Sequence, residues 1–262
     1  PMIERILDDV GIPRDLIYLA QAESAFKPEA LSSARAKGMW QFISSRGSEY
    51  GLRQNWWIDE RSDPEKSTRA AALHLKDLYN RFEDWYLALA AYNAGPSRVS
   101  RAMNRANSDD FWTLSERRLL PQETRDYVPK ILAMTIIGKD PARYGFDITP
   151  ADALDVERIT VDQATDLRVI SEYLDISLER IQKLNPHVLR WATPPNIADF
   201  ELILPSGFGT AFHERITPLT ESERILFRHH FVARGETVSH LSARYGVSID
   251  AIAESNNLSN RY

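Results

Sequence analysis

From Ile3 to Gly138 apolar residues recur at three- and four-residue spacing, a period that admits packed helices and no sheet. Helix punctuation divides this stretch. A first helix through Ile3, Ile6 and Leu7 ends near Gly11, and a second begins at Pro13 and carries Leu16, Leu19, Ala20 and Glu23. Ser62-Asp63-Pro64-Glu65 offers two overlapping starts for a helix reaching about Phe82: Asp63 as cap before Pro64, or Ser62 and Glu65 as a capping box. Asp84 caps a helix from Trp85 to Tyr92 that Gly95-Pro96 stops. Pro121 opens a last helix, expected to kink at Pro129 and to stop at Gly138.

Beyond Gly138 the pattern changes. Gly138-Lys139-Asp140-Pro141 and Thr149-Pro150 mark a linker, after which short β-like runs alternate with short helices. An internal repeat follows. Thr165 to Tyr173 has the spacing of Thr237 to Tyr245, with Val169 matching Leu241, and after a one-residue offset Ser177, Ile181 and Asn185 match Ser248, Ile252 and Asn256. Each copy begins with a strand-like run, Arg158 to Val161 or His230 to Ala233, and continues with two amphipathic helices. In the first copy Phe200 to Pro205 supplies a returning strand, which makes a βααβ unit. The second reaches Tyr262 before any such strand, so it reads as truncated and either poorly ordered or packed on the rest. The expected organisation is α+β: a helical domain over residues 1–147, a first module over 148–210, and a linker with a partial second module over 211–262.

These repeats resemble the LysM glycan-binding module, built from a strand, a Gly-Asp-Thr turn, a helix ending in Tyr-Gly-Val and a second helix ending in Asn. The second copy matches with Gly235-Glu236-Thr237, Tyr245-Gly246-Val247 and Asn256-Asn257. The first departs from the pattern, with Gln163 and Ala164 in place of the Gly-acidic pair, Leu174 after Tyr173 and an insert from His187 to Asp199. It reads equally as a structural spacer.

Composition removes several function classes. A net charge of −5 argues against a dedicated nucleic-acid binder. With no cysteine there are no disulfides, thiol nucleophiles or cysteine-rich zinc sites. No run of 18 apolar residues is present to span a bilayer. A signal peptide or lipid anchor removed ahead of Pro1 is compatible with this sequence. The six histidines show no metal-ligand spacing and read as structural or solvated. Arg98, Arg101 and Arg105 share a helix face, which reads as solvated, with contact to an anionic polymer as the alternative.

Glu23 is the most informative residue. It lies on the stripe of Leu16, Leu19 and Ala20, so the helix carries a carboxyl group into its own apolar face. Burial raises a carboxyl pKa and fits the group for proton donation near neutral pH. An ion pair with a nearby arginine, or a helix-end carboxylate leaning into solvent, is the structural alternative.

Glu23-Ser24, Ser32, Gly38-Met39-Trp40-Gln41-Phe42, Ala91-Tyr92-Asn93-Ala94-Gly95 and Glu123-Thr124-Arg125-Asp126-Tyr127-Val128 follow one another in a familiar order. Over residues 10 to 138 the chain resembles the lytic murein transglycosylases of the soluble-transglycosylase, goose-lysozyme-like type. With the repeats, its plan is most similar to the membrane-bound transglycosylase D group. One departure stands out: the family often has Ser-Pro-Ala-Gly-Ala where this chain has Ser32-Ser33-Ala34-Arg35-Ala36, placing Arg35 at a glycine position.

The resemblance implies a lysozyme-like helical domain with Glu23 as the single acid and base. Ser32 would orient Glu23 or the sugar, Gln41, Tyr92 and Asn93 would line the groove, Tyr127 would lie near Glu23 and Glu123 would support a subsite. Met39, Trp40 and Phe42 would form apolar walls, with core packing the reading preferred for Trp40 and Phe42. The implied reaction cleaves the β-1,4 bond between N-acetylmuramic acid and N-acetylglucosamine and leaves 1,6-anhydromuramic ends, without metal or organic cofactor. The partner is the peptidoglycan glycan strand and the place the bacterial envelope, in the periplasm. Two alternatives stay open. A hydrolytic muramidase needs a second carboxylate, for which Asp59, Glu60, Asp63 and above all Glu123 are available. A non-catalytic peptidoglycan-binding protein needs only the modules and a dead groove. The modules are expected to raise the local concentration of the polymer. Oligomeric state is not legible in the sequence.

Overall fold

A computed structural model of the protein describes residues 2–149, 152–195, 197, 199–226, 230–256 and 258. Pro1, Pro150, His229, Asn257 and Tyr262, which enter the sequence reading, lie outside the described residues. The chain forms two compact units, residues 1–224 and 225–262.

The first unit begins with eight helices: α1 (Met2–Val10), α2 (Ile17–Ser24), α3 (Ser44–Glu49), α4 (Pro64–Phe82), α5 (Trp85–Ala94), α6 (Pro96–Ala106), α7 (Phe111–Glu116) and α8 (Gln122–Lys139). Their core centres on α5, where Leu87 to Ala91 are all buried and the alanines let α4 and α8 approach closely. The sequence signals for starts and stops are largely met. Gly11 ends α1 with φ 77°, and Asp84 caps α5 through the Leu87 N–H. Of the two starts offered for α4, Asp63 is the cap, accepting from the Glu65 and Lys66 N–H groups, whereas the Ser62 hydroxyl is buried without a partner. After Pro13 the chain makes a 3-10 turn over Arg14–Leu16 before α2.

The last helix runs on through Pro129 and corrects one reading. Gly138 belongs to the final turn and is not its stop, because a Cβ there would meet Tyr18 Cε1 at 2.1 Å. The glycine serves close packing against α2.

The first module joins β1 (Val156–Val161) to β2 (Phe200–Pro205) as an antiparallel pair in which Val156 faces Pro205 and Val161 faces Phe200. Between them run α9 (Leu167–Leu174) and α10 (Leu178–Leu184), so the βααβ reading holds. Then α11 (Gly209–Arg215) adds Phe212 and Ile216 to the same core, which carries the module past residue 210, and α12 (Glu221–Arg224) closes the unit. Ile58, from the helical part, is fully buried in this core too. Asn185, 1% exposed, ties α10 to β2 by bonding the Ile203 N–H and carbonyl, both at 2.7 Å.

The second unit contains α13 (Val238–Tyr245) and α14 (Ile249–Ser255). Thr237 and His240 form a capping box at the start of α13. Residues 230–233, read as a strand, are not one, since no second strand among the described residues of the unit offers a ladder. The helix caps also correct the repeat register. Asp166 caps α9 as Thr237 caps α13, and the left-handed Asp175 (φ 53°) ends α9 as Gly246 (φ 66°) ends α13. One uninterrupted offset therefore relates the copies, and Ile170, not Val169, is the counterpart of Leu241.

His74 is 5% exposed on α4, its Nδ1 3.0 Å from the Tyr50 hydroxyl, with the Phe42, Tyr50 and Tyr92 rings around it. Burial pushes its pKa down to about 4. The neutral form is the folded form, so its contribution to stability is complete above the unfolded value of about 6.5 and lost as pH falls towards 4. We expect the stability lost between pH 7 and 4 to be smaller by about 3 kcal/mol in His74→Gln than in the parent, measured by urea unfolding.

Candidate active site

The site is built on the meeting of α2 and α8. Glu23 stands in the last turn of α2, which closes at Ala25 in the left-handed region (φ 52°), turning the chain away and leaving the carboxyl at a helix end. It is half-buried, at the edge of the core that holds Leu16, Leu19 and Ala20. The Tyr127 hydroxyl, from α8, donates to Glu23 Oε1. No ion pair engages Glu23 among the described residues, so the arginine-paired alternative is not what the structure shows. Burial raises its pKa; the Tyr127 hydrogen bond opposes this, the Glu123 charge adds to it, Lys130 opposes it, and the balance stays above the usual value.

Tyr92, on α5, donates to the Trp40 carbonyl at 2.7 Å. Burial and the nearby Glu23 charge push its phenol well above the usual range, which keeps the hydroxyl a donor. Asn93 is held by both ends of its amide: Oδ1 accepts from the Thr124 hydroxyl at 2.7 Å and Nδ2 donates to Glu123 Oε1 at 3.4 Å. Asn93, Glu123, Tyr127 and Glu23 thus form one constellation over the ends of α2, α5 and α8.

The 30–42 loop supplies the other side. Gln41, left-handed at φ 49°, donates from Nε2 to the Gly38 carbonyl at 2.8 Å and to the Ala30 carbonyl at 3.3 Å. Ser32 accepts the Ala36 N–H at 3.0 Å, and no hydrogen bond joins it to Glu23. Met39 is 5% exposed and packs in the helical core with Trp40 and Phe42, so the expected apolar walls are core. Arg35 adopts φ 60°, so the turn keeps the glycine-like conformation despite its side chain.

Two residues escaped the sequence reading. Ser24 donates to the Met39 carbonyl at 2.9 Å and accepts the Lys27 N–H at 3.1 Å, tying the end of α2 to the loop. Arg61, 8% exposed, grips both Asp59 oxygens and donates from Nη1 to the Arg35 and Phe42 carbonyls, each at 3.0 Å. Ser24 stood inside a motif that pointed to its neighbour, and no local pattern marks an arginine whose partners lie 19 and 26 residues away.

Three candidates for a second carboxylate are structural. Burial pushes Asp59, Glu60 and Asp63 up, but cationic partners outweigh it and hold each below the usual range: Arg61 and Lys37 for Asp59, Arg53 and Lys66 for Glu60, Arg158 for Asp63. Glu123 alone of the four borders the Glu23 site.

The chain carries three domains matched by known families: a Transglycosylase SLT domain over residues 3–115, a Lytic transglycosylase MltD, LysM-like domain over 155–219, and a LysM domain over 230–262. It is similar to membrane-bound lytic murein transglycosylase D of Escherichia coli (strain K12), with 32% identity over 95% of this chain and 57% of that protein. It therefore spans little more than half the length of that relative. A shorter match, 33% identical over 50% of this chain and 10% of the other, is to peptidoglycan transglycosylase gp16 of Escherichia phage T7. Among solved structures, the 70 kDa soluble lytic transglycosylase of Escherichia coli aligns at 26% identity and TM-score 0.46, covering 51% of this chain and 23% of that one.

Two outcomes follow from this geometry. In Tyr127→Phe the donor that favours the Glu23 carboxylate is gone, so the alkaline limb of the kcat/KM profile should move to higher pH. Gly38 has φ +85° and a Cβ there would lie 1.8 Å from the Arg61 carbonyl oxygen. Gly38→Ala should therefore cost about 2 kcal/mol or more in chemical denaturation, and lower activity by displacing Gln41.

Proposed function

We propose that this chain is a peptidoglycan lytic transglycosylase that cleaves between N-acetylmuramic acid and N-acetylglucosamine with Glu23 as acid and then base. The observation that carries the reading is the state of Glu23: desolvated and, among the described residues, in no ion pair and hydrogen-bonded through Oε1 alone. Its other oxygen is left to hold a proton. Supporting this are the transglycosylase and LysM family matches and the structural roles of Asp59, Glu60 and Asp63.

In the proposed reaction protonated Glu23 gives its proton to the bridging oxygen as the bond to the muramic anomeric carbon breaks. The substrate's own acetamido oxygen takes up the developing positive charge. The Glu23 carboxylate then removes the proton from the C6 hydroxyl of the same sugar, whose oxygen closes on the anomeric carbon and releases the acetamido group. The product is a 1,6-anhydro ring, Glu23 ends protonated as it began, and no water is consumed. Burial serves the first half, and the Tyr127 hydrogen bond, which favours the carboxylate, serves the second.

In this reading Tyr92, Asn93, Gln41 and Ser32 line or shape the groove and Glu123, through Asn93, supports a subsite. Met39 acts through its carbonyl on Ser24. Such a substrate places the chain in the bacterial envelope, in the periplasm, with anchoring to a membrane as for its membrane-bound relatives.

Mass analysis of soluble products from purified peptidoglycan is the test. We expect anhydromuramyl ends, and in Glu23→Gln a fall in kcat of about 10²- to 10⁴-fold with sedimentation on the polymer retained. Reducing muramic ends would overturn the single-carboxylate mechanism and point to Glu123 as the base that activates water. Sedimentation without any products from the parent would mean a binding protein.

A further inference from the structure

A concave site lies on the helical part of the first unit, outside the Glu23 constellation. It is a pocket of about 410 Å³ between α6 and the turn that leads into α8, lined by Arg98, Arg101, Arg105 and Arg118 together with Leu120 and Pro121. The three arginines of α6 stand at positions i, i+3 and i+7, which stacks them along one helix face. Arg118 comes from the opposite wall, held in the left-handed region at φ 54°. That conformation is the end of α7, where the Arg118 N–H bonds the Ser115 carbonyl and the Leu119 N–H the Leu114 carbonyl, both at 3.0 Å.

Four guanidinium groups around one pocket repel one another, and this in a chain whose net charge is −5. None of the four arginines makes a side-chain hydrogen bond or ion pair among the described residues. Neighbouring arginines with structural roles behave differently: Arg117 donates to the Ala106 carbonyl at 3.0 Å and Arg81 to the Ser100 hydroxyl at 3.1 Å. An arrangement of this kind is suited to a ligand that brings several negative charges, and guanidinium groups pair with carboxylates through two parallel hydrogen bonds.

The place of the pocket says which carboxylates. Gly95, which opens α6, comes two residues after Asn93, and Pro121 in the pocket lining comes two before Glu123. The Asn93 to Glu123 hydrogen bond at the rim of the candidate active site therefore ties together the two elements that also form the pocket walls. A glycan strand seated over Glu23 carries a substituent on each muramic acid, a short peptide with several free carboxylates. We propose that the four-arginine pocket is a carboxylate subsite that receives the peptide stem of a muramic residue next to the scissile bond. This deepens the reading of the Glu23 site and rests on it: the pocket selects peptide-bearing strands, while Glu23 cleaves the sugar backbone.

The test compares full-length protein on two substrates, peptidoglycan strands that bear their stem peptides and the same strands stripped of them by an amidase. For Arg101→Gln/Arg105→Gln we expect KM on peptide-bearing strands to rise about three- to tenfold, as for the loss of exposed ion pairs, with turnover of stripped strands unchanged. Arg118→Glu, on the opposite wall, should give the same selective loss, so the outcome does not depend on one helix tolerating its substitutions. In the parent, rising salt should weaken turnover of peptide-bearing strands more than of stripped strands. Equal loss on both substrates, or no loss on either, would overturn the subsite. Absence of glycan cleavage by the parent on both substrates would overturn the transglycosylase reading itself.

Discussion

Arg61 is the interaction on which most of the first unit depends. Its side chain is buried, so its charge is tolerable only because Asp59 engages it with both oxygens and two backbone carbonyls take the remaining Nη1 hydrogens. Those carbonyls belong to Arg35 and Phe42, at either side of the loop that carries Gln41. The Arg61 carbonyl, in turn, occupies the space where any side chain at Gly38 would sit. One residue thus sets the loop's two flanks and its tight turn, and a substitution that removed the guanidinium would leave Asp59 buried with Lys37 alone, 3.3 Å away.

The same short segment reaches in the other direction. Asp63 caps α4 and pairs with Arg158 of β1 at 3.1 Å, while the Asp59 N–H bonds the His187 carbonyl at 2.9 Å and Ile58 fills the first module's core. The cap and the salt bridge use one carboxylate, and they reinforce each other: the arginine holds Asp63 ionised, and an ionised side chain is the better helix cap. Residues 58–63 therefore join the loop beside Glu23, the longest helix and the LysM-like module into one body. The electrostatic contrast with Glu23 is sharp. Cations hold Asp59, Glu60 and Asp63 charged, whereas Glu23 has burial and a neighbouring carboxylate against its ionised form, opposed by the Tyr127 hydroxyl and the more distant Lys130 charge.

Much of this was legible in the sequence where the cause is local. Asp63-Pro64, Asp84 and Gly11 act within one helical turn, and each did what its residue type dictates. The desolvated carboxyl of Glu23 was legible because an acid on an apolar stripe conflicts with its surroundings. What was not legible depends on distant partners. Gly138 looked like a stop because only Tyr18, 120 positions earlier in the chain, reveals it as a packing residue. Met39 looked like a groove wall because sequence proximity to Gln41 does not tell the buried side of a loop from the open one. Asp175 hid the repeat register, since an aspartate in the left-handed region replaces the expected glycine and shifts any alignment that relies on it.

The buried join between the helical part and the first module changes how the LysM-like copies are to be understood. A binding module on a flexible tether acts through effective concentration, which needs only that the linker span the distance between sites. That description does not suit residues 156–224. Cutting them away would uncover Ile58, strip Asp63 of Arg158 and release the Asp59 N–H, three losses within the segment that shapes the Glu23 loop. Loss of the proposed activity after a cut near Gly145 would therefore report the integrity of the loop beside Glu23 as much as any affinity for glycan. The second unit, 225–262, is compact by itself and carries the fuller LysM pattern. The two copies differ in the present structure: the first lacks the Gly-acidic turn, adds α11 and meets the helical part through Arg158 and Glu65, while in the second, which has the turn, Glu236 accepts from the Ala233 N–H at 2.7 Å.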